Sequence, residues 1–237
     1  MFRVVKIDRI LNVMKDKSRV RNIGVLAHID HGKTTLTDLL LAEAGLIPYN
    51  LAGEIRVLDY LEEERRRGIT IKTANISLLY KVHGEEYVIN LIDTPGHVDF
   101  TGRVTRALRA IDGALILVDA VEEVMAQTEV VTRQALNERI KPILFINKVD
   151  RLINDLRMTA EEIRNKISRI IQSFNNLVDI YSEPHFRDYW RVGLSRGNVI
   201  IGSALHKWGL TIKTSEEKGI KFSDIIKVYR SDGLEIL

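Results

Sequence analysis

The chain has 237 residues, 45% hydrophobic and 28% charged, with a formal net charge of +3. That balance suits a soluble globular protein of one large domain, or one domain plus an appendage, and a pI near 9.0 permits an RNA-rich partner without arguing for one. The absence of cysteine excludes disulfides and thiolate metal sites. The opening MFRVVKIDRILNVMKDK has no uninterrupted apolar stretch, which excludes an ordinary signal peptide. No later run is long enough to span a bilayer, so a cytoplasmic protein without a membrane partner is expected.

Ile7, Ile10, Leu11 and Met14 recur at helical spacing, so residues 5–16 read as an amphipathic helix packed against the domain body. Residues 1–20 are assigned to this helical lead-in and 21–237 to the main domain. Asn22–His28 reads as a buried strand, and Lys33–Ala44 as a helix stopped by Gly45 with Pro48 beyond. Residues 50–69 are dense in charge and keep no clean period, which reads as a mobile loop rather than a solvated helical turn. Ile71–Tyr80 and Tyr87–Ile92 read as two strands joined near His83-Gly84-Glu85 by a hairpin turn. Then follow a helix over Val98–Ala110, a strand over Ala114–Val118, a helix over Met125–Arg139 and a strand over Ile143–Ile146. Residues 159–181 read as a long amphipathic helix with a Thr159/Glu162 capping box. It carries one apolar face from Ile163 to Tyr181 and centres a helical extension of about residues 151–197. Val199–Ile201 is expected to be the last strand, and Ser223–Tyr229 a short helix.

Continuously apolar strands alternating with helices predict an α/β fold with a mostly parallel sheet covered on both faces. The single exception should be the antiparallel hairpin strand. Ligands in such sheets bind at the carboxyl ends of the strands, so the residues there carry the functional argument.

Ala27-His28-Ile29-Asp30-His31-Gly32-Lys33-Thr34 lies between a strand and a helix. It matches the phosphate-loop pattern Gly-x4-Gly-Lys-Ser/Thr except that Ala27 replaces the first glycine. Gly32 lets the backbone wrap a phosphate, Lys33 reaches the outer phosphates, and the Thr34 hydroxyl can ligate Mg²⁺. His28 and His31 fall inside this motif. In Leu-Ile-Asp-Thr-Pro-Gly-His, residues 91–97, Asp93 ends a strand, Gly96 turns the backbone and His97 opens the next helix. A carboxylate, a free N–H and an imidazole at one sheet edge are what water attack on a metal-bound phosphate needs.

Asn147-Lys148-Val149-Asp150 follows the Ile143–Ile146 strand. A carboxylate accepts two hydrogen bonds side by side, and guanine offers N1–H and N2–H in that geometry where adenine does not. Such polar pairing rejects the wrong partner by roughly 10⁴-fold. Asn147 would brace the loop, and the Lys148 stem would cover one face of the base. Thr70, where the charged loop meets the next strand, is positioned to offer its hydroxyl to Mg²⁺ when a γ-phosphate is present. Gly202-Ser203-Ala204 ends the last strand in a small-residue turn whose N–H groups suit the guanine oxygen. His83, His185 and His206 are scattered and read as structural or surface residues.

Together AHIDHGKTTL, RGITI, LIDTPGHVDF and FINKVDR resemble the GTP-binding domain of the translational GTPases, a P-loop NTPase G domain. The elongation factor 2 branch, the relative of elongation factor G, is the nearest in kind. GNVIIGSALHKWG and the opening KDKSRVRNIGVLAHIDHGKTTL extend the likeness over nearly the whole chain, and Ala27 is usual in that branch.

The resemblance implies that Asp30, Lys33, Thr34 and Thr35 hold phosphates and cations, within a nucleotide-binding stretch from His28 to Thr35. Thr70 and Asp93 would complete the Mg²⁺ shell, Gly96 would donate its N–H to the γ-phosphate, and His97 would position the attacking water. Ile29 and Ile69 match a hydrophobic pair that gates His97. Asn147, Lys148, Asp150, Ser203 and Ala204 would read guanine. The implied activity is hydrolysis of GTP to GDP and phosphate, stimulated by the ribosome and serving translocation. Implied partners are guanine nucleotide and, through a parent factor, large-subunit rRNA and stalk proteins; no DNA is expected, and the chain is expected to be a monomer. Elongation factor 2 carries several further domains, so a chain of this length reads as an excised G domain. Other readings are a guanine-nucleotide-dependent binding module without turnover and the G domain of another translational GTPase. A P-loop ATPase is the third, and Asn147–Asp150 argues against it.

Overall fold

The computed structural model describes residues 2–53, 74–94 and 106–231. The charged stretch from residue 54 to 73 and the start of the helix expected at Val98 lie outside them. The described elements run in this order: α1 Phe2–Val13, β1 Val20–Ala27, α2 Lys33–Glu43, β2 Ala74–Val82, β3 Glu85–Asp93 and β4 Gly113–Asp119. There follow α3 Ala126–Asn137, β5 Lys141–Asn147, α4 Val149–Asn154, α5 Ala160–Tyr181 and α6 Pro184–Trp190. The last are β6 Val199–Ser203, β7 Trp208–Leu210, α7 Ile212–Lys218 and α8 Phe222–Arg230.

The strands form one sheet in the order β2-β3-β1-β4-β5-β6-β7. The pairs β1/β3, β1/β4, β4/β5 and β5/β6 are parallel. Side chains alternate between two apolar layers, as the period of two dictates. Leu26, Ile92, Ile116, Val118, Leu144 and Ile146 face a layer shared with α3, α4, α5 and α8. Val25, Ala27, Leu91, Leu117 and Phe145 face the opposite layer with Leu36 and Leu41 of α2. The sheet is therefore covered on both faces, and its strands are apolar at successive positions.

The expectation of one antiparallel strand is corrected. β2 pairs antiparallel with β3 through a turn at His83 and Gly84, both with positive φ, and β7 also pairs antiparallel with β6. β7 has three residues, too few to show a period, and it is held by register rather than composition. Gly202 lies opposite Gly209, and a Cβ at Gly202 would sit 2.4 Å from the Trp208 carbonyl oxygen.

The α1 expectation is also corrected. Ile7, Leu11 and Met14 are exposed, while Ile10 is half-buried and Val13 buried. The helix lies near β3 and is tied there by an Arg9–Glu86 ion pair, so polar contact rather than burial of the stripe fixes it. In α5 the capping box is present, with the Thr159 side chain accepting from the Glu162 N–H and the Glu162 carboxylate accepting from the Thr159 N–H. Its apolar face packs beside α3, and Asn175 clamps the following chain by accepting from the Val192 N–H at 2.8 Å and donating to the Val192 carbonyl at 2.9 Å. No described helix is long and apolar enough to cross a membrane.

Candidate functional site

The carboxyl ends of β1, β3, β4, β5 and β6 deliver polar side chains to one edge of the sheet. At the end of β1 the chain turns through His28–Gly32 into α2. Asp30 has φ 62° and Gly32 φ 91°, a left-handed path on which a side chain at Gly32 is strained. A Cβ there would also lie 2.3 Å from the Asn147 Nδ2. Asp30 is exposed, and His28, Ile29, Thr34 and Thr35 are half-buried. The loop thus wraps the start of α2, whose N–H groups suit an anion.

Lys33 and Asp93 are both buried, and the Lys33 Nζ lies 2.7 Å from the Asp93 Oδ1. Asp93 closes β3, and Thr94 after it donates its hydroxyl to the Val25 carbonyl at 2.9 Å. Thr34 follows Lys33 on the first turn of α2. The oxygen donors Thr34 and Asp93 are hard ligands of the kind Mg²⁺ takes, and among the described residues no cluster of three His, Cys, Asp or Glu forms a metal cage. That donor set fits a cation completed by water and phosphate oxygens. Thr70, Ile69, Gly96 and His97 lie outside the described residues.

Asn147, at the end of β5, joins two loops. Its Nδ2 donates to the His31 carbonyl at 2.8 Å, and its Oδ1 accepts from the Ala204 N–H at 2.9 Å. Lys148, with φ 61°, sends its ammonium to the Asp30 carbonyl and to the Asp119 Oδ2, the latter at 2.9 Å. Asp150 is only 6% exposed, and its Oδ1 has no hydrogen-bond partner among the described residues. A buried carboxylate oxygen without a donor is costly unless a ligand supplies one.

Ser203 and Ala204 are buried at the end of β6. The Ala204 N–H is engaged by Asn147, the His206 N–H by the Ser203 Oγ and the Lys207 N–H by the Ala204 carbonyl. The Leu205 N–H is the amide of this turn for which no acceptor occurs among the described residues, and the Leu205 side chain is 67% exposed. Sequence reasoning passed over Leu205 because an apolar residue after a small-residue turn carries no polar signal.

It also passed over Asp119, whose position at the end of a buried strand was the available clue. Asp119 is fully buried. Burial alone would raise its carboxyl, but hydrogen bonds from Lys148 and the Val121 and Glu122 N–H groups outweigh it and hold the group below the usual range. His31, also fully buried, has its Nδ1 3.3 Å from both the Leu117 carbonyl and the Asp119 N–H, and its Nε2 3.3 Å from Glu122. Burial is the largest influence on it and pushes the imidazole below its ordinary value.

The site is therefore a glycine-turned anion loop, a buried Lys–Asp corner and a carboxylate short of donors, arranged along one sheet edge. Residues 18–230 match the family model of the elongation factor Tu GTP binding domain. Elongation factor 2 of Korarchaeum cryptofilum is 59% identical over 226 residues, which is 95% of this chain and 31% of that protein. The elongation factor 2 proteins of Sulfurisphaera tokodaii and Sulfolobus acidocaldarius are 54% and 53% identical over 231 residues, 98% of this chain and 31% of each relative. The chain thus spans about a third of the length of these relatives, and it belongs to the elongation factor Tu GTP-binding domain family.

Proposed function

We propose that this chain is the guanine-nucleotide switch of an elongation factor 2. It binds GTP with Mg²⁺ and hydrolyses it to GDP and phosphate when a ribosome engages it, in the service of translocation. The observation that carries the guanine reading is the buried Asp150 Oδ1 without a donor. Guanine N1–H and N2–H supply two donors to that carboxylate, and adenine supplies none in that geometry. The Leu205 N–H, together with the Ser203–Ala204 turn, suits the guanine 6-oxo group, and the Lys148 stem and Leu205 suit the two faces of the base.

In this reading the His28–Thr35 loop cradles the phosphates, and Lys33 exchanges part of its contact with Asp93 for the outer phosphates. Thr34, Thr70 and Asp93 hold Mg²⁺, which when bound neutralises charge on the phosphate oxygens. Gly96 donates its N–H to the γ-phosphate, and His97 orients the attacking water while Ile29 and Ile69 control its approach. The partners are the large ribosomal subunit, through rRNA and stalk proteins, and the setting is the cytoplasm.

The test is single-turnover GTP hydrolysis with and without archaeal large ribosomal subunits, with His97→Ala as control. Acceleration that requires His97 is expected. Tight GTP and GDP binding with no turnover under either condition would instead make the chain a guanine-nucleotide-dependent binding module. Equal competition by ADP and GDP would overturn the guanine site itself.

A further inference from the structure

The sequence left His206 as a scattered histidine and Tyr229 as the end of a short helix. In the fold they meet, beside the turn that ends β6. Tyr229 is 4% exposed, with Ile225 and Ile226 of α8 buried in the same apolar layer. Its hydroxyl oxygen lies 2.6 Å from the His206 Nδ1 and 2.7 Å from the Trp208 Nε1. The Ser203 Oγ in turn accepts the His206 N–H at 3.1 Å. The middle and end of the 203–208 turn thus meet on one hydroxyl, and its start is tied to the middle through Ser203 and His206.

The donor inventory orders this cluster. An indole N–H only donates, so the Tyr229 oxygen accepts from Trp208. At the second contact the Tyr229 hydroxyl and the His206 Nδ1 share one proton between them, with the donor set by the His206 tautomer. Burial, the largest influence, together with the Asp150 charge pushes the Tyr229 hydroxyl up to about 12, so it stays protonated and can donate throughout the neutral range. The influence of Asp150 also puts the cluster within electrostatic reach of the carboxylate assigned to guanine.

We propose that Tyr229 is a positioning residue for guanine recognition, its hydroxyl fixing through His206 and Trp208 the turn whose Leu205 N–H meets the 6-oxo group of the base. This rests on the guanine-site reading above. The residue touches no nucleotide. It acts by holding the Ala204–Leu205 segment against the loop that Asn147 braces from the other side. Removing the hydroxyl leaves the N–H of half-buried Trp208 without its acceptor, and the 203–208 turn loses its common anchor.

The experiment compares GDP, 6-thio-GDP and IDP on wild type and Tyr229→Phe, which keeps the ring in its packing. The sulfur of 6-thio-GDP is a poor acceptor, so the GDP/6-thio-GDP affinity ratio reports on the amides of the turn. IDP lacks the 2-amino group, so the GDP/IDP ratio reports on Asp150. The expected result is faster GDP release and a GDP/6-thio-GDP ratio reduced about fivefold, the size of one lost hydrogen bond, with the GDP/IDP ratio unchanged. Trp208→Phe, which breaks the cluster from its other end, should reproduce the effect and serves if Tyr229→Phe does not fold. An unchanged 6-thio ratio in both variants overturns the proposal, and so does equal collapse of both ratios, which would mark general loosening. Failure of the guanine reading is seen separately, as a wild type that does not prefer GDP to ADP.

Discussion

The Lys33 ammonium and the Asp93 carboxylate are joined at 2.7 Å across the carboxyl edge of the sheet, from the first residue of α2 to the last residue of β3. Both are buried, so removing one leaves the other charge in a poor medium. Lys33→Met should lower unfolding free energy by about 3–5 kcal/mol in denaturant titrations. The double variant Lys33→Met/Asp93→Asn should regain most of that loss. Nucleotide binding, followed by fluorescent GDP titration, should not return in either.

Asp150→Asn replaces one of two acceptors with a donor. Guanine N1–H and N2–H then face a mismatched pair, whereas xanthine, with an oxygen in place of the 2-amino group, matches it. Affinity for GDP should fall by at least about 10²-fold and that for XDP should rise, as measured by competition titration. A variant that still prefers GDP would remove Asp150 from the base site.

Asn147→Ala deletes both ends of the bridge between the His31 carbonyl and the Ala204 N–H. Two buried backbone groups lose their partner at about 1–3 kcal/mol each. Thermal unfolding should report that loss, and GDP release should accelerate because the phosphate loop and the 203–208 turn are no longer held at one spacing.

His31 links acidity to stability. Its folded value lies below the ordinary 6.5 of a free imidazole, so between the two the unfolded chain binds more protons than the folded one. This contribution is therefore full above about 6.5 and is lost as pH falls from there toward the folded value. Wild type should lose melting temperature over that window, and His31→Gln should flatten the slope. Asp119 has the same sign at lower pH: its depressed carboxyl stabilises above the ordinary carboxylate range and ceases to as pH falls through its folded value.

The α5 cap is a local test. Thr159→Ala removes the acceptor of the Glu162 N–H and should cost about 1 kcal/mol in chemical denaturation, without changing GDP affinity.

What the sequence determined by itself was local. The stop at Gly45, the Thr159/Glu162 box and the apolar strands all depend on neighbours a few residues apart, where φ preference, capping and period act directly. The order of polar groups at the strand ends was equally plain, because a parallel sheet places every strand terminus on one edge. Tertiary structure decided what depends on distant partners. β7 exists because Gly209 can lie against Gly202, and no three-residue period announces that. The α1 stripe remains exposed because its docking rests on an ion pair 77 residues away in sequence. Tyr229 came to the 203–208 turn because α8 packs its apolar face into the sheet layer that β6 shares, leaving one hydroxyl as the common partner of Trp208 and His206. Burial and long-range pairing set these outcomes, and neither is written in any short window of the chain.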